Sequence, residues 1–379
     1  MTVEKTVMRY CWQVCIYGAF FLLPLKFAQA APQIEQLKVP PGFHISVYSD
    51  QVPSAREIAL GAEGTVFVGS MSTGTVYALT GQAASGRAER VRIIASGLNM
   101  PVGVAFHHGD LYVSDTTRIM VLRDIEKHLD APPQPEIAVD NLPYEDGDHS
   151  WKFLAFGPDD RLYVPIGSPC NICDVGHDFG RIVSMKPDGT DQQNVAYGIR
   201  NTVGFTWQPQ THALWFTDNG RDLMGDDLPS DELNTVTHNG QSYGFPYCHQ
   251  GDTPDPKFGK QKSCAEFVPP AVKLGAHVAA LGLRFYEGTS FPDIYRNSLF
   301  IAEHGSWNRS KLAGYQVVVV RFGPDGKPQQ PDVVVSGFQK NEHSWGRPAD
   351  VQPMPDGSLL ISDDKAGALY RLTYDGKPQ

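Results

Sequence analysis

The sequence predicts an all-β fold, a six-bladed β-propeller, and two observations carry that prediction. A short apolar strand ending in a small or acidic turn recurs six times, beginning at Val66, Leu111, Leu162, Leu214, Leu299 and Leu359. Repetition of short strands at intervals of about 40–50 residues is typical of propeller blades, and an ordinary β-sandwich does not explain such a period. The 37 glycines and 29 prolines favour a turn-rich β fold over long helices.

Each copy of this strand has other strand-like runs around it. Tight-turn sequences such as GAEGT, GPDD and MPDG precede several copies, and apolar runs such as TVYALT and YQVVVVRF follow. The last unit offers only three clear strands, whereas the run FHISVYS at 43–49 lies outside all six units. We therefore expect the N-terminal strand to complete the last blade, which protects the sheet edge.

The first thirty residues have the pattern of a secretory signal peptide. Lys5 and Arg9 precede an apolar run over 14–25, and Ala28-Gln29-Ala30 fits a small-residue cleavage site. The run is short for a membrane anchor, which is the alternative interpretation. We expect cleavage after Ala30, a single propeller domain over 31–379, a periplasmic or secreted location and no stable membrane span after cleavage.

The charge of the chain bears on its partners. The full sequence carries a net charge of −10, and loss of the signal peptide takes it to about −12. A protein this acidic is not expected to bind nucleic acid.

Four cysteines remain in the mature chain: Cys170, Cys173, Cys248 and Cys264. An even number in an exported protein predicts two disulfides. Pairing within each local pair closes the shortest loops, but four cysteines allow three connectivities. A zinc site at CNIC is an alternative, and Asp174 after Cys173 excludes the c-type haem motif.

Polar groups that a blade does not need indicate where chemistry could occur. His149 in GDHSW precedes a strand and could accept a proton, although a histidine bonded to a turn carbonyl is the plainer interpretation. Arg200 and Asn201 open another strand and could polarise a carbonyl or hold a carboxylate. The oxygen-rich stretch TDNGRDLMGDDLPSDELN could bind calcium or be a solvated acidic loop.

Three further cations occur in the last two units, in HGSWNRSK and SWGRPADV: Arg309, Lys311 and Arg347. Each alone is more often a surface residue. Together with Arg200 they could line a channel mouth with positive charge, which suits a small ligand with several carboxylates.

The stretches GDHSWKFLAFGPDDRLYVPIGSPCNIC, GIRNTVGFTW, FTDNGRD and FIAEHGSWNRS resemble the glucose/sorbosone dehydrogenase family. These are soluble periplasmic six-bladed propellers that use pyrroloquinoline quinone, and the sorbosone dehydrogenase-like branch is the more similar one. The resemblance covers nearly all of the mature chain. It implies calcium as a second cofactor.

The resemblance also implies roles for individual residues. His149 matches the general base, which removes the proton of the sugar hydroxyl as hydride passes to C5 of the quinone. Arg200 matches the cation beside that quinone carbonyl, with Asn201 next to it. The implied remaining roles are calcium ligation by the carbonyls of Gly220 and Arg221, with Asn219 adjacent, and binding of a cofactor carboxylate by Arg347.

Four positions differ from the pattern of the glucose-oxidising branch. Ser168 stands where an aspartate supports the imidazole, and Gly305 lies near the position of a cofactor-binding lysine. Arg309 or Lys311 could replace that lysine. Ala349 stands at a second cofactor arginine, and Glu287 at a threonine near the cofactor.

The expected activity is oxidation of an aldose, or of a related aldehyde or alcohol, with a quinone or a cytochrome as electron acceptor. Two alternatives belong to other classes. A calcium-dependent lactonase on a similar propeller would need carboxylates and an asparagine that converge on a metal, without an arginine cluster. The other alternative is a non-catalytic ligand-binding propeller.

Overall fold

The computed structural model describes residues 31–377. The predicted signal peptide at 1–30 lies outside the described residues. The described chain forms six sheets of four or five strands, together with two two-stranded hairpins. The predicted six-bladed β-propeller is therefore confirmed.

The strands follow one another blade by blade. The N-terminal strand is β1 (Phe43–Ser49). The first blade contains β2 (Ala55–Leu60), β3 (Val66–Ser70), β4 (Val76–Thr80) and β5 (Arg90–Ala95). The second contains β6 (Val104–His107), β7 (Asp110–Ser114), β8 (Ile119–Leu122) and β9 (Glu136–Val139). The third contains β10 (Ala155–Phe156), β11 (Leu162–Ile166), β12 (Arg181–Met185) and β13 (Gln193–Tyr197).

The fourth blade contains β14 (Phe205–Trp207), β15 (Leu214–Asp218) and β16 (Ser230–Val236). An insertion follows, with β17 (Gln241–Ser242), β18 (Cys248–His249) and β19 (Thr253–Pro254). Strand β20 (Val272–Ala276) completes the fourth blade, and β17 adds to the third.

The fifth blade contains β21 (Ala280–Tyr286), β22 (Ser298–Glu303), β23 (Gln316–Val320) and β24 (Asp332–Val335). The hairpin β25 (Gln339–Lys340) and β26 (His343–Ser344) leads to β27 (Pro348–Pro353), β28 (Leu359–Asp363) and β29 (Ala368–Tyr374). The helices of the described chain are short 3-10 turns at Ile34–Gln36, Ile125–His128, Cys264–Glu266 and Asp293–Tyr295.

The N-terminal strand closes the ring as the sequence predicts. The last sheet has the order β1-β29-β28-β27, so β1 is its outermost strand. The pairing is antiparallel, with Phe43 opposite Tyr374 and Val47 opposite Tyr370. One blade thus joins the two ends of the domain, and the edge of β29 is covered.

The six recurring sequence runs are the second strands of the six blades. Strands β3, β11, β15, β22 and β28 have every residue buried, because each blade packs between two neighbours. Outer strands instead expose apolar side chains such as Ile93, Ile137 and Val333. Burial on both faces explains why the second strands have the clearest apolar signal in the sequence.

The innermost strands form the ring around the propeller axis. Contacts join β2 to β6, β6 to β10, β14 to β21, β21 to β27 and β27 to β2. The third and fourth blades meet through the rings of Phe153 and Phe205, whose centroids are 5.0 Å apart. The residues before these inner strands therefore collect at one face of the ring.

Both predicted disulfides are present, and the pairing is local: Cys170 with Cys173, and Cys248 with Cys264. The zinc alternative for CNIC is excluded, because the two sulfurs are bonded to each other. The bond between Cys248 and Cys264 braces the insertion of the fourth blade. No helix among residues 31–377 is long and apolar enough to span a bilayer.

Candidate active site

A cavity of about 680 Å³ opens at the face where the inner strands begin. Ligand pockets typically have volumes of about 300–1,000 Å³, so the cavity has the size of a small-molecule site. Its walls come from segments that precede inner strands and from segments that follow second strands. Six of the predicted site residues line it: His149, Arg200, Asn201, Asn219, Gly220 and Arg347. Arg221 is not among the lining residues.

His149 lies on the wall of this cavity with a buried ring. Its Nδ1 is 2.7 Å from the carbonyl oxygen of Ser168. A carbonyl can only accept, so Nδ1 carries the hydrogen and Nε2 keeps a free lone pair. Burial, and then the charge of Arg200, lower the pKa of His149 to about 3, although the Ser168 carbonyl opposes this. The ring is therefore neutral at pH 7.

The imidazole of His149 is held by the backbone at Ser168, the position of an aspartate in the glucose-oxidising branch. The carbonyl of Ser168, not its hydroxyl, holds the imidazole; the hydroxyl donates to the carbonyl of Cys170 at 3.0 Å. Gly167 permits this approach, because a Cβ there would lie 2.6 Å from Cβ of His149. A neutral acceptor fixes the tautomer without adding charge to the pair.

Arg200 is buried beside His149 and has an acceptor for each of its five N–H groups. Its Nε donates to the carbonyl of Asn171 at 2.9 Å, and Nη1 donates to the carbonyls of Asn219 and Gly220. Its Nη2 donates to Oδ1 of Asn171 at 3.0 Å and to Asp222 at 2.8 Å. Arg200 therefore acts on a ligand through its charge, since its hydrogen bonds are used within the protein.

The Cys170–Cys173 loop supplies half of this clamp. Asn171 lies between the two cysteines and accepts from Arg200 with both of its oxygens. Its Oδ1 also accepts from the backbone N–H of Asp222 at 2.8 Å, and its Nδ2 donates to the carbonyl of Asp222. The disulfide thus fixes the residue that orients the buried cation.

Two buried carboxylates anchor the backbone of the Arg200 wall. Asp218 accepts from the backbone N–H groups of Arg200 and Asn201, and Asp231 accepts from those of Gly220 and Ala279. Burial raises the pKa of Asp218 and of Asp231 to about 7 despite these donors.

The opposite wall contains a hydrogen-bonded network of three charged or titratable side chains that were not predicted from the sequence. His304 places Nε2 at 2.9 Å from Asp364, and Arg56 donates to the same carboxylate at 2.8 Å. Burial would raise the pKa of Asp364, but His304 and Arg56 hold it well below its ordinary value. Burial lowers the pKa of His304 to about 4; Asp364 opposes this shift, and Arg347 and Arg56 add to it.

Arg347 lies next to this network. It donates to the carbonyls of His304 and Gly305, and its guanidinium packs over the ring of Tyr315 at 5.4 Å. Within residues 31–377 its Nη1 has no hydrogen-bond acceptor, which leaves donors for a ligand. The cavity is therefore lined by three arginines: Arg56, Arg200 and Arg347.

The structure corrects the prediction for the other two cations. Arg309 donates to the carbonyls of Lys311, Asp226 and Ala276 and forms an ion pair with Asp227. Lys311 is exposed, and neither residue lines the cavity. The acidic loop around Asp226 binds Arg309 outside the cavity, so the structure does not bring Arg309 or Lys311 together with Arg200 and Arg347.

The remaining positions that differ from the family pattern now have structural reasons. Gly305 has φ of 98°, and a Cβ there would lie 2.3 Å from the ring of Tyr315, so a lysine does not fit. Ala349 packs in an apolar cluster with Val203 and Leu281 beneath Trp151. Glu287 is exposed just beyond the end of β21 and does not line the cavity.

Several buried polar atoms at the cavity lack partners within the described chain. They are Oδ1 of Asn201, Nε1 of Trp151 and Oδ1 of Asn308, and all three residues line the cavity. A buried polar atom without a hydrogen bond costs about 1–3 kcal/mol, so a polar ligand or an ordered water that bonded these atoms would be stabilised. With three arginines beside them, the cavity fits an anion that carries both donors and acceptors.

A repeat register could have revealed the residues that sequence reasoning missed. The residue five positions after the start of each second-strand copy is Met71, Thr116, Gly167, Asn219, His304 and Asp364. Four of these six, namely Met71, Asn219, His304 and Asp364, line the cavity. Equivalent positions in different blades point to the same axis, so aligning the copies selects side chains that meet.

The protein is thus a six-bladed propeller with a polar cavity at one face, and three arginines line that cavity. The chain belongs to the TrAA12-like family, whose sequence profile matches residues 37–375. An uncharacterized protein of Borreliella burgdorferi is 33% identical over 89% of this chain and 91% of its own length.

Two solved structures have the same fold. The holo form of the PQQ domain of a pyranose dehydrogenase from Coprinopsis cinerea has a TM-score of 0.76 and 19% identity, covering 91% of this chain and 98% of that one. A calcium structure of a family AA12 carbohydrate-active enzyme from Trichoderma reesei also has a TM-score of 0.76, with 21% identity, covering 89% and 97% respectively.

Proposed function

We propose that the protein is a quinoprotein oxidoreductase that oxidises an aldose, or a related aldehyde or alcohol such as sorbosone, with pyrroloquinoline quinone. The observation that carries this proposal is the neutral imidazole of His149, whose Nδ1–H is held by a carbonyl so that Nε2 is the only proton acceptor of the ring. Family membership and the pyranose dehydrogenase fold neighbour support the choice of chemistry.

The cavity fits a quinone with three carboxylates. Arg347 and Arg56 would bind carboxylate groups, since Arg347 retains unused donors and Arg56 is paired through Nη1 to Asp364. Arg200 would stabilise negative charge without donating to it. Asn201 and Trp151 have one buried polar atom each that such a ligand would satisfy. When bound, pyrroloquinoline quinone would supply the two-electron acceptor that no side chain provides.

The catalytic role of the chain is to hold and move one proton. His149 would take the hydroxyl proton of the substrate at Nε2 while the carbonyl of Ser168 keeps the ring oriented. The low pKa of His149 in the free protein arises from burial and from Arg200. Ligand carboxylates in the cavity would offset the charge of Arg200 and so raise the basicity of the ring.

Calcium would lie at the Asp218-Asn219-Gly220-Arg221 turn, which offers several carbonyl and carboxylate oxygens as ligands. The carbonyl of Gly220 already accepts from Arg200 at 2.9 Å, which leaves one of its two lone pairs for a metal. The carbonyl of Arg221 and the carboxylate of Asp222 are further oxygen donors of the kind that calcium prefers. The calcium structure of the Trichoderma reesei enzyme supports calcium as a cofactor.

The structure bears on the lactonase alternative, which requires carboxylates that converge on a metal. Among the described residues, the group of three or more histidine, cysteine or acidic ligands close enough to share an ion is His107, His108 and Asp160. These residues do not line the cavity, whereas three arginines do. That distribution favours an anionic cofactor over a lactonase metal centre.

Titration of the protein with pyrroloquinoline quinone in the presence of calcium, read by absorbance, tests the proposal. It should show saturable binding at one site per chain. The reconstituted protein should then reduce an artificial acceptor dye when supplied with an aldose or with sorbosone from a sugar panel. Binding without turnover on any sugar would favour the non-catalytic propeller, and absence of both would overturn the proposal.

The location and the electron acceptor complete the proposal. We infer that residues 1–30 are a cleaved signal peptide and that the mature protein is periplasmic or secreted, in keeping with its two disulfides. The physiological acceptor would be a quinone or a cytochrome. N-terminal sequencing of the exported protein should begin at Ala31, and a retained N-terminus would contradict cleavage.

A further inference from the structure

Two histidines and an aspartate meet at turns that belong to neighbouring blades, separate from the cavity. His107 ends β6, His108 lies in the turn to β7, and Asp160 lies in the turn between β10 and β11. One ligand atom from each residue lies within 4.8 Å of those of the other two. The Nε2 atoms of His107 and His108 are both 3.9 Å from Oδ1 of Asp160.

The turn geometry places these side chains together. His108 and Asp160 both have left-handed φ values, of 50° and 58°. The ring of His107 stacks on Phe156 of the next blade, with centroids 3.8 Å apart and planes 6° apart. The two imidazoles are 4.0 Å apart. His107 is therefore fixed by packing, while His108 and Asp160 are exposed and free to adjust around it.

The ligand atoms of these three side chains are not engaged by other groups in the described chain. Within residues 31–377, neither imidazole nor the Asp160 carboxylate has a hydrogen-bond partner. Two adjacent imidazoles repel each other when protonated, whereas a shared cation would hold both.

We propose that His107, His108 and Asp160 form a binding site for a divalent transition-metal ion, with Zn²⁺ as the representative, that clips the second blade to the third. Two imidazoles and one carboxylate suit zinc, whose ligands lie at about 2.0–2.2 Å. Ligand atoms at tetrahedral positions around such an ion are about 3.4 Å apart. Small rotations of the exposed side chains would shorten the two Nε2–Oδ1 distances from 3.9 Å to that value.

The site does not depend on the proposed redox function, because it has no residue in common with the cavity. A fourth position around the ion would remain open to water at this exposed turn. Its consequence is mechanical: an ion that binds only the folded protein raises the melting temperature by mass action. Zinc at about 100 times its Kd should raise Tm by about 4 °C in a domain of this size.

The test uses the tag-free mature protein treated with a chelator and then dialysed against Zn²⁺, with calcium present throughout. Metal analysis should give one zinc per chain, and calorimetry should show the rise in Tm. His108→Asn and Asp160→Asn are suitable variants, because asparagine tolerates the left-handed backbone at both positions. Each should reduce zinc affinity at least tenfold and, at the same zinc concentration, reduce the shift in Tm to about half or less.

His343→Asn is the matched control, since His343 is exposed in the β25–β26 hairpin and belongs to no such group among the described residues. It should bind zinc as the parent does. Zinc binding that survives in both His108→Asn and Asp160→Asn would overturn the assignment, as would absence of stoichiometric zinc in the parent. Circular dichroism of each variant separates loss of the site from loss of the fold.

Discussion

Two histidines face the same cavity from opposite walls, and they are held in different ways. His149 donates through Nδ1 to the neutral carbonyl of Ser168, and a buried arginine is its electrostatic neighbour. His304 is held through Nε2 by the carboxylate of Asp364, which Arg56 shares. Both rings have lowered pKa values, of about 3 and about 4, and burial is the main cause in each case.

The different partners of the two rings suit them to different roles: His149 to accepting a proton, and His304 to holding the carboxylate of Asp364. At His149 only Nε2 remains, with no charged group bonded to the ring, so it can receive a proton and release it. At His304 the carboxylate is part of an ion pair whose removal would leave Arg56 unpaired. The wall of His149 therefore suits catalysis, and the wall of His304 suits anchoring of an anionic ligand near Arg56 and Arg347.

The largest expected effect separates the two rings directly. His149→Asn, which tolerates the left-handed φ of 59° at this position, should lower kcat of the reconstituted protein by about 10²–10⁴-fold. Quinone binding should be retained, because the cations are untouched. His304→Asn should mainly weaken quinone binding, with a much smaller loss in kcat. Steady-state kinetics and absorbance titration on both variants measure this, and an equal kcat loss would reject the division of roles.

The next effect concerns stability of the His304 wall. Asp364→Asn should destabilise the protein by about 3–5 kcal/mol, because it leaves the buried Arg56 without its counterion. The pKa of Asp364 in the folded state lies below its ordinary 3.8, so its stabilising contribution is complete above about pH 5 and is lost as pH falls.

Urea unfolding of the parent and of Asp364→Asn between pH 3 and pH 7 measures this contribution. The gap in unfolding free energy should be widest near neutral pH and should narrow as pH falls. A gap that does not change with pH would mean that the ion pair with Arg56 and His304 is not the source of the stability.

The smallest expected effect tests how the Cys170–Cys173 disulfide contributes to the wall that contains His149. Replacing Cys170 and Cys173 by serine should reduce quinone affinity several-fold, because Asn171 between them would orient Arg200 less firmly. The matched variant replaces Cys248 and Cys264 by serine. The disulfide that it removes closes a longer loop, far from Arg200 in sequence. That variant should lower Tm more and quinone affinity less. The reverse pattern would contradict the role of Asn171.

Much of the fold was predictable because its signal is local. The second strand of each blade is buried on both faces, so it appears as a short apolar run, and the copies reveal the number of blades. The same reasoning located the N-terminal strand, since the last unit lacked one strand. His149, Arg200 and Asn201 could be found because they lie a few residues before the inner strands β10 and β14.

The site was predictable only in part. The sequence predicted Arg309 and Lys311 as site residues because they are positively charged. The acidic residues that bind Arg309 lie more than eighty positions earlier, so this pairing could not be seen locally. His304 and Asp364 were missed, because sixty residues separate them and Arg56 lies 308 positions before Asp364. Side-chain pairing across closed blades does not leave a local pattern.

The sequence by itself determined the repeat, the strand that closes the ring and the number of disulfides, and it indicated His149 as a candidate. These properties depend on burial and spacing along the chain. Only the tertiary structure decided how the cysteines pair, that the carbonyl of Ser168 holds the imidazole of His149, and that the donors of Arg200 are used by Asn171 and the turn at 219–222. Closure of the ring sets those contacts, because it brings residues from separate blades within hydrogen-bond distance.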